Sequence, residues 1–236
     1  MAVVTISREF GSEGDRIAQK VAEGLGYHLA DKSTIEKILL AYGMVDFDAN
    51  YEKVPGFWGR FDLAVNQQRS DFLRLLNQSL ATLARHGDAV LVGRGGFAVL
   101  AGFADVLNVR IQAPLALRIS RVKELPSIGS FSLAEAAVKD NDRLQEKFIE
   151  STYGLRWDAA DAFDLVIDTG KTSADLAANL VVDVVRALEG QKPAGRKTTA
   201  EIRVDPVLAS AVQDVLHCHQ ASHGAGFRPL AQVPGP

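Results

Sequence analysis

The residues with the clearest chemical possibilities stand near the start, in "VVTISREFGSEGDRIAQKVAEGLG" (residues 3–26). An apolar run is followed by Gly11, Ser12 and Gly14, and then by a segment with helical spacing. A turn that points backbone N–H groups at a helix N-terminus is a seat for phosphate oxygens. Such loops ordinarily add a lysine that reaches the terminal phosphates. Here Gly14-Asp15-Arg16 stands where Gly-Lys-Ser/Thr is expected, with Arg8 and Arg16 as the nearby cations. Taken alone the pattern is weak, because many strand–turn–helix units carry glycine only for close packing. A second group is Arg118 and Arg121, three apart and so on one helix face. Asp140 and Arg143 have the same spacing and read equally well as an ordinary intrahelical pair. A third group, His217, Cys218, His219 and His223, lacks the spread of positions that a zinc site draws together, and is not expected to bind metal.

The elements that must position these residues follow from hydrophobic period. Val3–Ile6, Ala89–Val92, Val106–Ile111 and Phe163–Ile167 are short apolar runs, as expected of strands covered on both faces. Tyr27–Ala30 is a further brief extended piece, with Asp31 or Ser33 placed to cap the helix after it. Helical patterns separate the runs: Ile17, Val21 and Leu25 before Gly26, residues 70–85, a helix opened by Pro114, and another capped by Thr172 or Ser173. Strands alternating with helices predict a three-layer α/β domain with a five-stranded parallel sheet. Residues 43–68, with Pro55, Phe57, Trp58 and Phe61, read as a functional insertion whose aromatics cover the core or a subunit contact. Composition changes at Gly190. "GQKPAGRKTT" reads as a linker, Ala200–Leu216 as a strand and helix suited to self-association, and the remainder as a tail. The expected organisation is therefore a domain over 1–190 and an extension over 191–236.

Composition bounds the partners. The chain has 236 residues, 47% of them hydrophobic and 23% charged, with a net charge of −3. That balance suits a core-forming protein and disfavours a nucleic-acid polymer as ligand, which would call for a basic surface. One cysteine excludes an internal disulfide framework. The N-terminal residues do not resemble a secretion signal, and no run approaches the ~18 apolar residues of a membrane helix. A cytoplasmic protein with no membrane association and a possible homo-oligomer is the expectation.

The stretch "TISREFGSEGDRIAQKVAEGLGYHLADKSTIEKI" resembles the cytidylate kinase-like family, which typically runs "TISREFGSGGREIAKKLAEKLG…YDK" and belongs to the P-loop nucleoside monophosphate kinases. "VLVGRGGFAVL" at 90–100 resembles the family's "GRDIGTVV" strand, and "ADVLNVRIQAPLALRISRV" its next strand and arginine-bearing helix. "DNDR" at 140–143 resembles the Asp-x-x-Arg of the lid, and "FDLVIDT" at 163–169 the last strand. The resemblance implies a P-loop fold with a helical lid over about 122–157, nucleotide substrates, and ATP with Mg²⁺. It implies that Gly11, Ser12 and Gly14, with Arg8 and Arg16, hold the donor phosphates. Arg94 and Asp31 would hold the acceptor, while Arg118, Arg121, Asp140 and Arg143 would serve the transferring group. Three positions depart from the pattern: Glu13 for glycine, Asp15 for a basic residue, and Gly95 for aspartate. With Glu9 they place three carboxylates around one loop, which would oppose a triphosphate unless cations offset them. The alternative expectation is a nucleotide-binding or regulatory module without turnover. A third is an interaction protein organised by its C-terminal extension.

Overall fold

The computed structural model describes residues 2–43, 66–190 and 195–223. The aromatics Phe57, Trp58 and Phe61 lie outside the described residues, as do the side chains of Cys218, His219 and His223. Strands β1 (Val3–Arg8), β2 (His28–Ala30), β3 (Ala89–Val92), β4 (Val106–Gln112) and β5 (Leu165–Asp168) form one parallel sheet in the order β2-β3-β1-β4-β5. Val3 stands opposite both Ala89 and Val106, so the central strand is paired on both sides.

Helices α1 (Gly14–Leu25) and α7 (Ala174–Glu189) cover one face of the sheet. Ile17, Val21, Val181 and Val185 pack there on Val4, Ile6, Val109 and Ile111. The other face carries α2 (Lys32–Ala41), α3 (Asn66–His86), the short α4 (Gly96–Val99) and α8 (Pro206–His223). Its core joins Ile35, Ile38, Leu76, Leu80, Leu208 and Val212 to Val3 and Leu91. Between β4 and β5 lie α5 (Leu115–Lys123) and α6 (Phe131–Tyr153), which meet through Ile119, Val122, Ala134 and Val138.

The termini of these helices follow local chemistry. Gly26 ends α1 at φ 69, where a side chain would be strained. Asp31 caps α2 by accepting from the Thr34 N–H at 3.0 Å, and Ser173 caps α7 by accepting from Leu176 at 3.2 Å. The range expected as a helical lid divides in two. The outer end of α6 exposes Phe131 and Leu133, whereas Phe148 and Ile149 near its inner end are buried in the central core.

The segment after Gly190 differs from its reading as a strand and helix. Thr199–Glu201 forms a 3₁₀ turn with a capping box, not a strand. The Asp105 carboxylate accepts from both the Thr199 N–H and its hydroxyl, which fixes the turn beyond the sheet. The α8 helix then turns Leu208, Val212 and Leu216 onto α2 and α3 instead of leaving them for a second copy.

Candidate active site at the carboxyl ends of β1, β3 and β4

Residues alternate faces along a strand, and that alternation prepares the site. Val4, Ile6, Leu107, Val109 and Ile111 enter the apolar core under α1 and α7. Thr5, Ser7, Asn108 and Arg110 stand on the opposite face and are buried there. Thr5 donates to the Asn108 side-chain oxygen at 2.7 Å, and the Trp157 indole donates to Ser7 at 3.0 Å. This polar stripe leads up β1 and β4 to the loop after β1.

That loop is held from outside by its carbonyls. The Phe10 carbonyl accepts from Arg118 at 3.3 Å, that of Gly11 from Arg121 at 3.3 Å, and that of Ser12 from the Thr169 hydroxyl at 2.9 Å. In a trans peptide the next N–H points opposite to the carbonyl, and no described peptide is cis. The N–H groups of Gly11 and Glu13 are therefore aimed away from α5 and Thr169. Such a loop presents donors on one side and is anchored on the other, as phosphate binding requires. A Cβ on Gly11 would stand 2.8 Å from the Arg118 carbonyl oxygen, so this position needs glycine for contact as well as for its φ of 82. Ser12 is fully buried, and its hydroxyl has no hydrogen-bond partner among the described residues.

Each carboxylate near the loop is paired. Glu9 does not face the loop. It accepts from Arg110 at 3.2 Å, pairs with Arg118 at 3.2 Å and accepts from the Ala113 N–H at 3.1 Å. Arg118 also donates to Asp142 on α6 at 2.7 Å, tying that helix to the loop. Arg110 lies 4.6 Å over the Trp157 ring and donates to the Trp157 carbonyl. Burial pulls its pKa down, while Glu9 opposes that shift. Glu13 is held by Arg16 at 3.0 Å and by Arg121 at 3.2 Å, and Asp15 by Arg8 at 2.8 Å. Glu13 adopts φ 64, which explains why glycine suits this position better.

Across the site, β3 ends in Gly93, Arg94 and Gly95 at φ 69, 55 and 75, three successive left-handed residues. The turn is fixed by Gly93 N–H donating to the Ile6 carbonyl at 2.9 Å. A side chain at Gly95 would run into the ring of Tyr153. The Tyr153 hydroxyl donates to the Asn77 side-chain oxygen at 2.8 Å, and burial pushes its pKa well above the ordinary phenol value. The Tyr153 ring from α6 thus fills the space that a side chain at position 95 would need. Ser7, Arg8, Gly93, Arg94, Gln145 and Trp157 are among the residues lining a small cavity between the end of β1, this turn and α6.

The structure brings Arg8, Gly11, Ser12, Gly14, Arg16 and Arg121 together at the loop, with Arg118 behind it and Arg94 on the turn after β3. Asp31 is engaged locally. Burial would raise its pKa, but hydrogen bonds from Thr34 and Ser33 outweigh that and hold it below the usual carboxylate value. Asp140 and Arg143 are exposed on α6, without a hydrogen bond or ion pair among the described residues; Asp142 between them reaches Arg118. Sequence reading passed over Glu9 as a binding partner, and also Arg110, Asp142, Thr169 and Tyr153. The signal for Arg110 was present: an arginine and an asparagine at alternate positions of "VLNVRIQ" interrupt an otherwise buried strand.

A parallel sheet whose first strand runs through a glycine loop into a helix, faced by the arginine-bearing helix α5, defines a three-layer α/β fold of the phosphate-loop type. The model of the cytidylate kinase-like family matches residues 3–171, and the chain belongs to that family. The cytidylate kinase of Pyrobaculum neutrophilum is 28% identical over 188 residues, covering 78% of this chain and 93% of that enzyme. The cytidylate kinase of Pyrobaculum islandicum is 23% identical over 192 residues, covering 81% and 97%. An uncharacterized protein from Eubacterium ventriosum has a crystal structure of the same fold, with a TM-score of 0.60 at 19% identity over 79% of this chain and 99% of that one. No helix among the described residues is long and apolar enough to cross a membrane.

Proposed function

We propose that the protein transfers the terminal phosphoryl group of MgATP to a nucleoside monophosphate, cytidylate-like by family, or to a related small phosphate acceptor. The observation that carries this reading is the loop with three successive carbonyls tied outward, with Arg8 reaching from the end of β1 past Gly14 to Gly93 of the arginine-bearing turn. In the reaction, an oxygen of the acceptor's dianionic phosphate attacks the terminal phosphorus as the bond to the bridging oxygen breaks. No proton has to be removed from that nucleophile, and the electron pair leaves on the diphosphate. The protein's task is then to position the two anions and to neutralise charge.

Gly11, Ser12 and Gly14 would receive the donor phosphates, with Arg8 and Arg16 as counter-charge. Arg94 would take the acceptor phosphate, for which a guanidinium is the matching donor. Arg118 and Arg121 would serve by holding the loop, and Asp31, Asp140 and Arg143 would act from the periphery of the acceptor site and α6. Magnesium enters as part of the nucleotide and neutralises phosphate charge there. Among the described residues no group of three or more acidic, histidine or cysteine side chains converges, which suits an ion carried mainly by phosphates; the unpartnered Ser12 hydroxyl is the loop side chain that could meet it.

One observation favours the alternative of a binding module without turnover: Glu13 occupies Arg16 and Arg121 at once. Phosphorus NMR with MgATP and a panel of nucleoside monophosphates, including CMP and dCMP, separates the two. New diphosphate signals that depend on one acceptor are the expected result. Shifted ATP resonances without conversion would favour the module, and unshifted resonances would remove both readings.

A further inference from the structure

We infer that Arg8 supplies, from the end of β1, the positive charge that phosphate loops ordinarily place on the helix after them, so that Arg8 is the residue touching the transferring phosphoryl group and Asp15 positions it. This rests on the kinase reading above.

The path of the side chain carries the argument. A Cβ on Gly14 would run into Arg8 Cβ and Cγ, and one on Gly93 would stand 2.5 Å from Arg8 Nη1. Arg8 thus crosses from the donor loop to the acceptor turn through space that two glycines leave open. It also lines the cavity together with Arg94. A guanidinium in that position is within reach of both the loop and the turn.

Three of the arginines around the loop are committed to holding it or its partners. Arg118, only 7% exposed, holds Ala113, Phe10, Glu9 and Asp142. Arg110, 4% exposed, holds Trp157 and Glu9. Arg121 holds both polar atoms of Thr169, the Gly11 carbonyl and Glu13. Withdrawing any of these toward a ligand would release the loop that binds it. Arg8 is held instead by one ion pair, to an Asp15 side chain that is 72% exposed. An exposed pair of that kind is weak, whereas a guanidinium on phosphate makes two charge-assisted hydrogen bonds. Exchange of Asp15 for phosphate is therefore favourable and leaves the fold intact. The negative charge at position 15, in place of the family's basic residue, then has a use: it keeps Arg8 extended across Gly14 before nucleotide arrives.

Calorimetric titration of the full chain with MgATP and with MgADP tests the assignment, because only ATP carries the terminal phosphate. Arg8→Ala should weaken ATP about ten- to hundredfold, the range for a lost charged hydrogen bond, and leave ADP at the wild-type value. Its kcat should fall by about a thousandfold or more, the scale of an arginine on the transferring group. Asp15→Asn removes a competitor of the phosphate and should tighten ATP but not ADP. An ATP-to-ADP affinity ratio unchanged by Arg8→Ala, or an equal effect of Asp15→Asn on both nucleotides, overturns the assignment while the kinase reading stands. Failure of the wild-type chain to bind ATP overturns both. Should Arg8→Ala misfold by circular dichroism, Asp15→Asn decides, since its side chain is exposed.

Discussion

The loop after β1 and the turn after β3 both receive Arg8 and are made rigid by different means. The loop of residues 9–15 is clamped by charge: Arg118 and Arg121 grip its carbonyls, Glu9 and Asp142 hold Arg118, Arg110 shares Glu9, and Thr169 and Glu13 hold Arg121. The turn of residues 93–95 is fixed by shape. Its three left-handed residues leave room on one side for Arg8 and on the other for Tyr153. The difference teaches where each side tolerates change. An ionic clamp fails when one charge is removed, because the remaining ones are left buried without a partner. A steric fit fails when atoms are added.

The largest expected effect tests the clamp. Glu9→Gln leaves Arg110 and Arg118 without their shared counter-ion and should cost about 3–5 kcal/mol in urea unfolding. A loss near that of an exposed ion pair would mean that the loop is fixed by packing alone. On the other side, Gly95→Ala imposes strain at φ 75 and a clash with Tyr153, at about 1–3 kcal/mol. Pairing it with Tyr153→Ala should make the two losses less than additive, and additive losses in the double-mutant cycle would show that the ring is not what the glycine accommodates. Tyr153→Phe removes the hydroxyl's hydrogen bond to Asn77 and its longer one, at 3.5 Å, to the Arg94 carbonyl, and should cost about 1 kcal/mol.

The smallest effect lies away from both sides. Asp31→Ala loses a helix cap worth about 1 kcal/mol at neutral pH. Because the folded-state pKa of Asp31 is depressed, its contribution is present above the unfolded value and is lost as pH falls through the folded one. Wild type and variant should therefore converge in acid. A gap that stayed constant would mean that the hydrogen bonds from Ser33 and Thr34 do not depend on the charge.

The strands were legible because β1, β3 and β4 are buried on both faces, which leaves short runs that are mostly apolar, broken in β4 by Asn108 and Arg110. Gly26, Asp31 and Ser173 announced their caps because capping is a local event. The segment Ile202–Val204 has strand-forming residues, yet the turn at Thr199–Glu201 lies where the ladder offers no partner, and Ile202 packs on the core instead. Charge partners were the least legible. Glu9 reads as a surplus negative charge next to a phosphate loop, and only the fold brings Arg110 to it from the middle of β4. Asp142, and not the motif residues Asp140 and Arg143 beside it, meets Arg118, because the pitch of α6 decides which residue faces inward.

The docking of α8 on α2 and α3 also shapes how the chain comes into being. Leu208, Val212 and Leu216 seal an apolar cluster whose other members, Ile35, Ile38, Leu76 and Leu80, are synthesised far earlier. At the ~5–20 residues per second of translation, those earlier residues wait several seconds or more on the ribosome before their cover is made. The nascent chain therefore presents a greasy, half-built surface to chaperones for that interval, and a ribosome stalled before α8 would release a product prone to clump.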